Sequence, residues 1–233
     1  MNAVITGATK GMGRAIANKL AKEGFNLVIC SRSQQEISSF INDLSQETPD
    51  INVYGLQTDC SDADQVRKFA VFVQQHFQCV DVLINNVGVF YPGSILEEAE
   101  NILPLQLQVN LNTAYMLCRS FAPAMKERRS GHIINICSVA ALQPVVAAGS
   151  YSVTKAALLS LTKVLREELM PYKVKVTAIH PGSTLTSSWD GTTIPAERFV
   201  AADDVADAVL ASINMSAGAN VDEIVIKPLA GNI

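Results

Sequence analysis

Short β-branched runs alternate along this chain with longer stretches whose apolar positions recur every three or four residues. The short runs are Ala3–Ile5, Leu27–Cys30, Asn52–Leu56, Val82–Ile84, His132–Ile136, Lys175–Ile179 and Glu223–Ile226. Runs of this length and apolar content fit strands buried on both faces. The longer stretches predict helices at Met12–Glu23, Val66–Phe77, Ile102–Lys126 and Val153–Met170. In the first of them Ile16, Ala17, Leu20 and Ala21 form one stripe, and Gly24 stops it. Pro104 and Pro123 should bend the third near its ends, and Pro171 closes the fourth. Strands alternating with helices predict an α/β fold, a doubly wound seven-stranded parallel sheet with helices on both faces.

A length of 233 residues with 48% hydrophobic content can supply one sizeable core, so one domain over 1–233 is expected. The polar stretch Ser183–Glu197 is the long candidate for a mobile loop, which puts a short substrate loop at about 183–200. Charged residues make up 17%, the net charge is −4, and no basic run exceeds Arg128-Arg129, so nucleic acid is not an expected partner. The five cysteines (Cys30, Cys60, Cys79, Cys118 and Cys137) are scattered, and the histidines (His76, His132 and His180) lie equally far apart. Reduced core thiols and no metal site follow. With no charged leader and no apolar run of about 18 residues, a cytoplasmic protein without a membrane partner is expected.

Candidate chemistry begins at Thr6-Gly7-Ala8-Thr9-Lys10-Gly11-Met12-Gly13, where the first strand turns into the first helix. Glycine permits positive φ and close approach of a phosphate, and the helix N-terminus offers free N–H groups to it. An ordinary tight turn would also tolerate three glycines; the place of this one in a βαβ pattern points to a dinucleotide. An acid at the end of the second strand would bind an adenosine ribose and repel a 2′-phosphate. Here Ser31 and Arg32 follow Cys30, and Lys10 lies in the turn, so the cations suit a phosphate dianion and NADPH (NADP) is expected over NADH. The bland alternative is that Lys10 and Arg32 only decorate the surface.

Further along stand Asn85-Asn86-Val87-Gly88, Ser138, Tyr151-Ser152-Val153-Thr154-Lys155 and Pro181-Gly182. With the glycine turn, these resemble the short-chain dehydrogenases/reductases in order and spacing over nearly the whole chain, including 13 positions from Ser138 to Tyr151 and four from Tyr151 to Lys155. Independently of that resemblance, Tyr151 and Lys155 share a helix face at i and i+4. A free phenol keeps its proton to about pH 10, and a neighbouring ammonium favours its ionised form. Ser138 follows a strand at its C-terminal edge, where ligands sit in open α/β sheets.

The resemblance implies a Rossmann-type domain, carbonyl–alcohol interconversion by hydride transfer, and likeness to 3-oxoacyl-carrier-protein reductases among other small-ketone enzymes. It gives Ser138 the polarising role, Tyr151 the proton transfer, and Lys155 a second task on the nicotinamide ribose. Asn110 matches the member that holds a relay water, with Asn112 as competitor. For the cofactor it implies Gly7, Thr9, Lys10, Gly11, Met12, Gly13, Ser31, Arg32, Asp59, Asn85, Gly88, Tyr151, Lys155, Pro181, Gly182 and Thr186. Departures are Cys60 beside Asp59 where a hydrophobic residue is commoner, Val87 for the usual Ala, and an ending, Asp222 to Pro228, unlike the family's glycine-rich one. Only 17 positions separate Thr186 from Asp203, so the lid should be small, with Trp189 either lining the pocket or packed under the lid. A homo-oligomer, dimer or tetramer, is implied as well. A dinucleotide-binding sensor or scaffold, or a non-redox enzyme on the same fold, is the alternative reading.

Overall fold

The computed structural model describes residues 1–233 apart from the side chain of Ser188. Seven strands, β1 (Asn2–Thr6), β2 (Asn26–Ser31), β3 (Val53–Gln57), β4 (Val82–Asn85), β5 (Gly131–Ile136), β6 (Val174–Pro181) and β7 (Glu223–Ile226), form one sheet in the order β3-β2-β1-β4-β5-β6-β7. Every pairing is parallel. Each expected run lies within a strand except Asn52, which precedes β3. The chain winds outward from β1 to β3 and then returns to β1's other side with β4. That reversal opens a crevice beyond the C-terminal ends of β1 and β4.

The helices are α1 (Gly11–Lys22), α2 (Gln34–Glu47), α3 (Ala63–His76), α4 (Ile102–Leu107), α5 (Thr113–Arg128), α6 (Gly149–Leu169) and α7 (Ala202–Ile213). On one face Ile16 and Leu20 of α1, Ile37 and Phe40 of α2 and Val205 and Val209 of α7 pack on β1 and β2. On the other, Phe69 and Val73 of α3 meet Leu117 and Phe121 of α5 over Val4, Leu83 and Ile133. Truncating a side chain as completely buried as Phe40 would cost roughly 3–5 kcal/mol.

Two helices go beyond the expected set. Ser33 caps α2 by accepting from Glu36 N at 3.3 Å, and Ile37, Phe40 and Leu44 give its buried stripe. Helix α7 packs along α1, where Lys19 pairs with Asp207. Helix α3 starts three residues before the expected Val66, because the Asp62 carboxylate accepts from Asp64 N and Gln65 N. The long segment expected over 102–126 is broken elsewhere than at its prolines: a π-helical turn, Gln108–Asn112, separates α4 from α5, while Pro123 sits inside α5. Such turns concentrate at functional sites. Segment 183–200 is pinned at its ends, Leu185 N donating to Val200 O at 2.9 Å and Val200 N to Ser183 O at 2.9 Å. No helix among the described residues is long and apolar enough to cross a membrane.

Candidate active site

At the end of β1 the chain enters its glycine turn with Gly7 at φ +66° and Gly11 at φ +51°. Gly7 N and Ala8 N donate to Cys30 O at 3.0 and 3.2 Å, tying the turn to the end of β2. A Cβ on Gly13 would lie 2.1 Å from Gly7 O, so only glycine lets α1 approach this closely. Helix α1 begins with no side-chain cap and no acidic residue in its first turn. Its orphan N–H groups and positive dipole end therefore favour an anion, which fits a dinucleotide's pyrophosphate. A cleft of about 660 Å³ runs from this turn past Ser31 and Arg32 to Asp59, and on its other side along Asn86 to Val89.

Toward the end of β2 the cleft wall is a chain of polar contacts. Ser31 Oγ lies 2.8 Å from Thr9 Oγ1, which donates to Glu36 Oε2 at 3.0 Å. Glu36 Oε1 stands 2.7 Å from Lys10 Nζ. The Lys10 hydrogen bond, against partial desolvation, holds the Glu36 carboxyl below the usual carboxylate range. Arg32 is exposed and makes no ion pair among the described residues. Asp59 Oδ1 accepts from Ser61 N at 2.9 Å and Ser61 Oγ at 2.8 Å.

At the other end, Ser138 caps a short 3-10 turn, Val139–Ala141, that packs against α6. Its Oγ accepts from Ala140 N at 3.1 Å, and among the described residues the hydroxyl hydrogen has no acceptor. His180 Nδ1 lies 3.1 Å from Ser138 O, holding the serine's backbone from β6. Lys155 is 3% exposed; its Nζ donates to Ile136 O at 2.9 Å and stands 5.7 Å from the Tyr151 ring centre. Among the described residues no carboxylate pairs with it. Asn110, in the π-helical turn, accepts from Val89 N at 2.8 Å and donates to Val89 O and Thr154 Oγ1 at 3.0 and 3.1 Å. A Cβ on Gly88 would be 3.4 Å from Asn110 Oδ1 and 3.5 Å from Lys155 Nζ, so both groups lie directly behind Gly88, which lines the cleft; Asn110, Ser138, Tyr151 and Lys155 do not themselves line it. Asn112 is bonded instead to Gln108 on its own turn.

Several residues expected to contact the cofactor do not line this cleft. Asn85 does not line the cleft: its Nδ2 donates to Asn135 Oδ1 at 2.8 Å inside the sheet, because a strand residue in this register points into the layer behind β4. Its neighbour Asn86 lines the cleft, with Nδ2 donating to Thr6 O and Gly7 O at 2.9 and 3.1 Å. Pro181 and Gly182 are likewise outside the cleft lining, since the C-terminal segment covers them; a Cβ on Gly182 would lie 2.2 Å from Asn232 Oδ1. Thr186 does line it, lying against Gly11. Trp189 packs edge-on against buried Phe199, 4.9 Å between ring centres, and does not line the cleft.

Three residues escaped the sequence reading. Glu36 was signalled by Ser33-x-x-Glu36, a helix-capping pattern that also puts its carboxylate beside the glycine turn. Phe90, 51% exposed, packs edge-on against Tyr151 with 5.0 Å between ring centres, and Tyr91 lines the cleft beside it. Nothing in the local pattern marked these aromatics. All five cysteines are free thiols, and burial pushes Cys118 up to about 12 and Cys137 up to about 11.

Residues 1–194 match the family model described as short chain dehydrogenase. An uncharacterized oxidoreductase of Staphylococcus aureus is 31% identical over 230 residues, 97% of this chain and 96% of the relative. An alcohol dehydrogenase from the archaeon Thermococcus sibiricus, solved in complex with 5-hydroxy-NADP, superposes with TM-score 0.91 at 27% identity, covering 100% of this chain and 98% of that one. The L-sorbose reductase of Gluconobacter frateurii, complexed with NADPH and L-sorbose, superposes with TM-score 0.88 at 27% identity, covering 97% and 94%.

Proposed function

This chain belongs to the short-chain dehydrogenases, a family of oxidoreductases, and from that premise we propose that it interconverts a carbonyl and an alcohol using NADP(H), with Tyr151 exchanging the proton. The observation that carries the reading is Lys155. An ammonium shut away from water with one carbonyl and, among the described residues, no carboxylate is costly to keep for packing alone. A sensor or scaffold that only bound a nucleotide could use it on the ribose but would have no need of Tyr151 and Ser138 beside it.

The Gly7–Gly13 turn and the N-terminus of α1 hold the pyrophosphate, Asp59 faces the adenine, and Lys10, Ser31 and Arg32 face the adenosine ribose and its phosphate. The cofactors named for the two solved relatives, 5-hydroxy-NADP and NADPH, support the phosphorylated form. When bound, the nicotinamide supplies or accepts hydride.

The chain's own groups manage the oxygen. Ser138, its Oγ already accepting from Ala140 N, keeps its hydroxyl hydrogen for the substrate oxygen. Tyr151 gives that oxygen its proton in reduction and takes one in oxidation. Lys155 favours the phenolate left behind and, with two N–H donors left after Ile136 O, can also hold ribose hydroxyls. Asn110 fixes the Val89 backbone and the α6 residue preceding Lys155, so the lysine's setting is built before ligands arrive. Phe90 and Tyr91 border the substrate end with apolar surface, which suits a small ketone or a 3-oxoacyl thioester.

Tyr151→Phe tests the mechanism. The variant is expected to fold and to quench or shift NADPH fluorescence as the parent does, while turnover on a panel of ketones and aldehydes falls about 10²–10⁴-fold. Near-normal turnover would overturn the assignment.

A further inference from the structure

The adenosine end of the cleft holds a carboxylate that the proposed function leaves without a task. Glu36 sits at the third position of α2, its backbone N–H fixed to the Ser33 cap, and its two oxygens take Lys10 Nζ at 2.7 Å and Thr9 Oγ1 at 3.0 Å. Thr9 in turn is 2.8 Å from Ser31 Oγ. Lys10, Thr9, Ser31 and Arg32 are the groups a 2′-phosphate would use, and Glu36 already occupies two of them. A lysine and an arginine offer two positive charges to a phosphate dianion; with Glu36 ionised the seat carries one.

We propose that Glu36 is a specificity-determining residue, an internal anion that holds the 2′-phosphate seat closed and so narrows the preference for phosphorylated over unphosphorylated dinucleotide. The inference rests on the dinucleotide reading of the cleft. A nucleotide with a 2′-phosphate has to draw Lys10 and the Thr9 hydroxyl away from Glu36 and then lie beside a like charge. A nucleotide with a free 2′-hydroxyl meets a carboxylate able to accept from it, the task usually given to an acid at the end of the second strand and served here from the first turn of the next helix. Lys10 is 63% exposed, so its side chain has room to swing from one anion to the other.

The test is equilibrium binding of 2′,5′-ADP and 5′-AMP to the whole chain by calorimetry, which needs no turnover. Glu36→Gln should tighten 2′,5′-ADP about tenfold, the scale of removing one like charge at contact range near a protein surface, and leave 5′-AMP within about twofold. In Lys10→Met the competition for Lys10 has gone, so the same Glu36→Gln change should keep only its like-charge part and the gain should differ from that in the parent by more than additivity allows. Unchanged or weaker 2′,5′-ADP binding by Glu36→Gln, with both probes bound by the parent, would show that Glu36 merely supports Lys10 and would overturn the proposal alone. If the parent binds neither probe, the dinucleotide reading falls and the role of Glu36 with it.

Discussion

The two ends of the cleft are built on opposite terms. At the adenosine end, the charged groups that would recognise the nucleotide are side chains open to solvent, Lys10, Arg32 and the partly exposed Glu36, resting on a backbone turn that glycine alone can form. At the proposed substrate end, Ser138, Lys155 and Asn110 are buried; Lys155 and Asn110 bond to backbone of other elements, and Ser138 bonds to its own turn and, through its carbonyl, to His180 of β6. Exposed charges in water are worth little singly and exchange partners readily, whereas buried ones are fixed by what surrounds them. One end is tunable in small steps; the other works as a unit or fails. Substitutions should divide accordingly.

The largest effect is expected at the buried end. Lys155→Met keeps the length of the side chain and removes the charge, and turnover should drop at least 10²–10³-fold at saturating cofactor. Thermal stability should hold or rise, since an uncompensated buried ammonium leaves. A variant that loses stability along with activity would mean that the Ile136 carbonyl needs that ammonium for the fold. The comparison between the ends would then lose its basis.

The contrast also explains what could be read in advance. Strands were legible because β1, β2 and β5 are apolar on both faces, and the glycine turn because Gly7, Gly11 and Gly13 answer to backbone geometry, which a linear pattern preserves. Tyr151 and Lys155 were legible because four residues along a helix is a spatial statement. Helix α2 is faint in the sequence although Ser33 and Glu36 spell its cap, because only Ile37, Phe40 and Leu44 bury its inner face and most of the residues between them are polar. Asn85 and Asn86 are adjacent and chemically identical; only the pleat decides which faces the cleft and which bonds Asn135. The coverage of Gly182 by Asn232, 50 residues later, has no local signature at all.

A medium effect bears on β5, the strand that carries Ser138 just past its C-terminal end. At its other end His132 is buried against Thr177, Nε2 to Oγ1 2.8 Å, and burial, with Lys175 adding, drives it from the usual 6.5 to about 3. In the unfolded chain this histidine takes a proton below about pH 6.5, while the folded chain refuses it until about pH 3. Its stabilising contribution is thus complete above the unfolded value and is lost on acidification, about 2 kcal/mol between pH 7 and 5. The fall in thermal midpoint over that interval should shrink in His132→Gln. An unchanged slope would place the acid sensitivity of the buried end in other groups.

A smaller change is expected at the exposed end. Arg32→Asp replaces an unpaired surface cation with an acid beside the ribose, and the ratio of NADPH to NADH efficiency should fall about tenfold or more, with kcat for the preferred substrate nearly unchanged. The shift should weaken as salt rises, as screened exposed charges do. A collapse of kcat instead would mean that the two ends are not independent.

The smallest effect tests whether the buried end is held as tightly as its bonds suggest. Ser138 O can only accept, so the proton of the 3.1 Å contact sits on His180 Nδ1, and the ring's other nitrogen lies 3.1 Å from Glu223 Oε2 on β7, too poorly aligned for a hydrogen bond. His180 is fully buried, and its bond to the serine's backbone fixes where the hydroxyl points. One such bond is worth about 1 kcal/mol net, roughly a fivefold change. His180→Phe fills the space without donating, and kcat should fall about fivefold while KM for NADPH and its binding stay unchanged. His180→Asn, whose amide can donate from nearly the same place, should recover most of the loss. If Phe and Asn behave alike, the ring serves packing alone and Ser138 is held by its own turn, through Ala140 N and Ala141 N, rather than by β6.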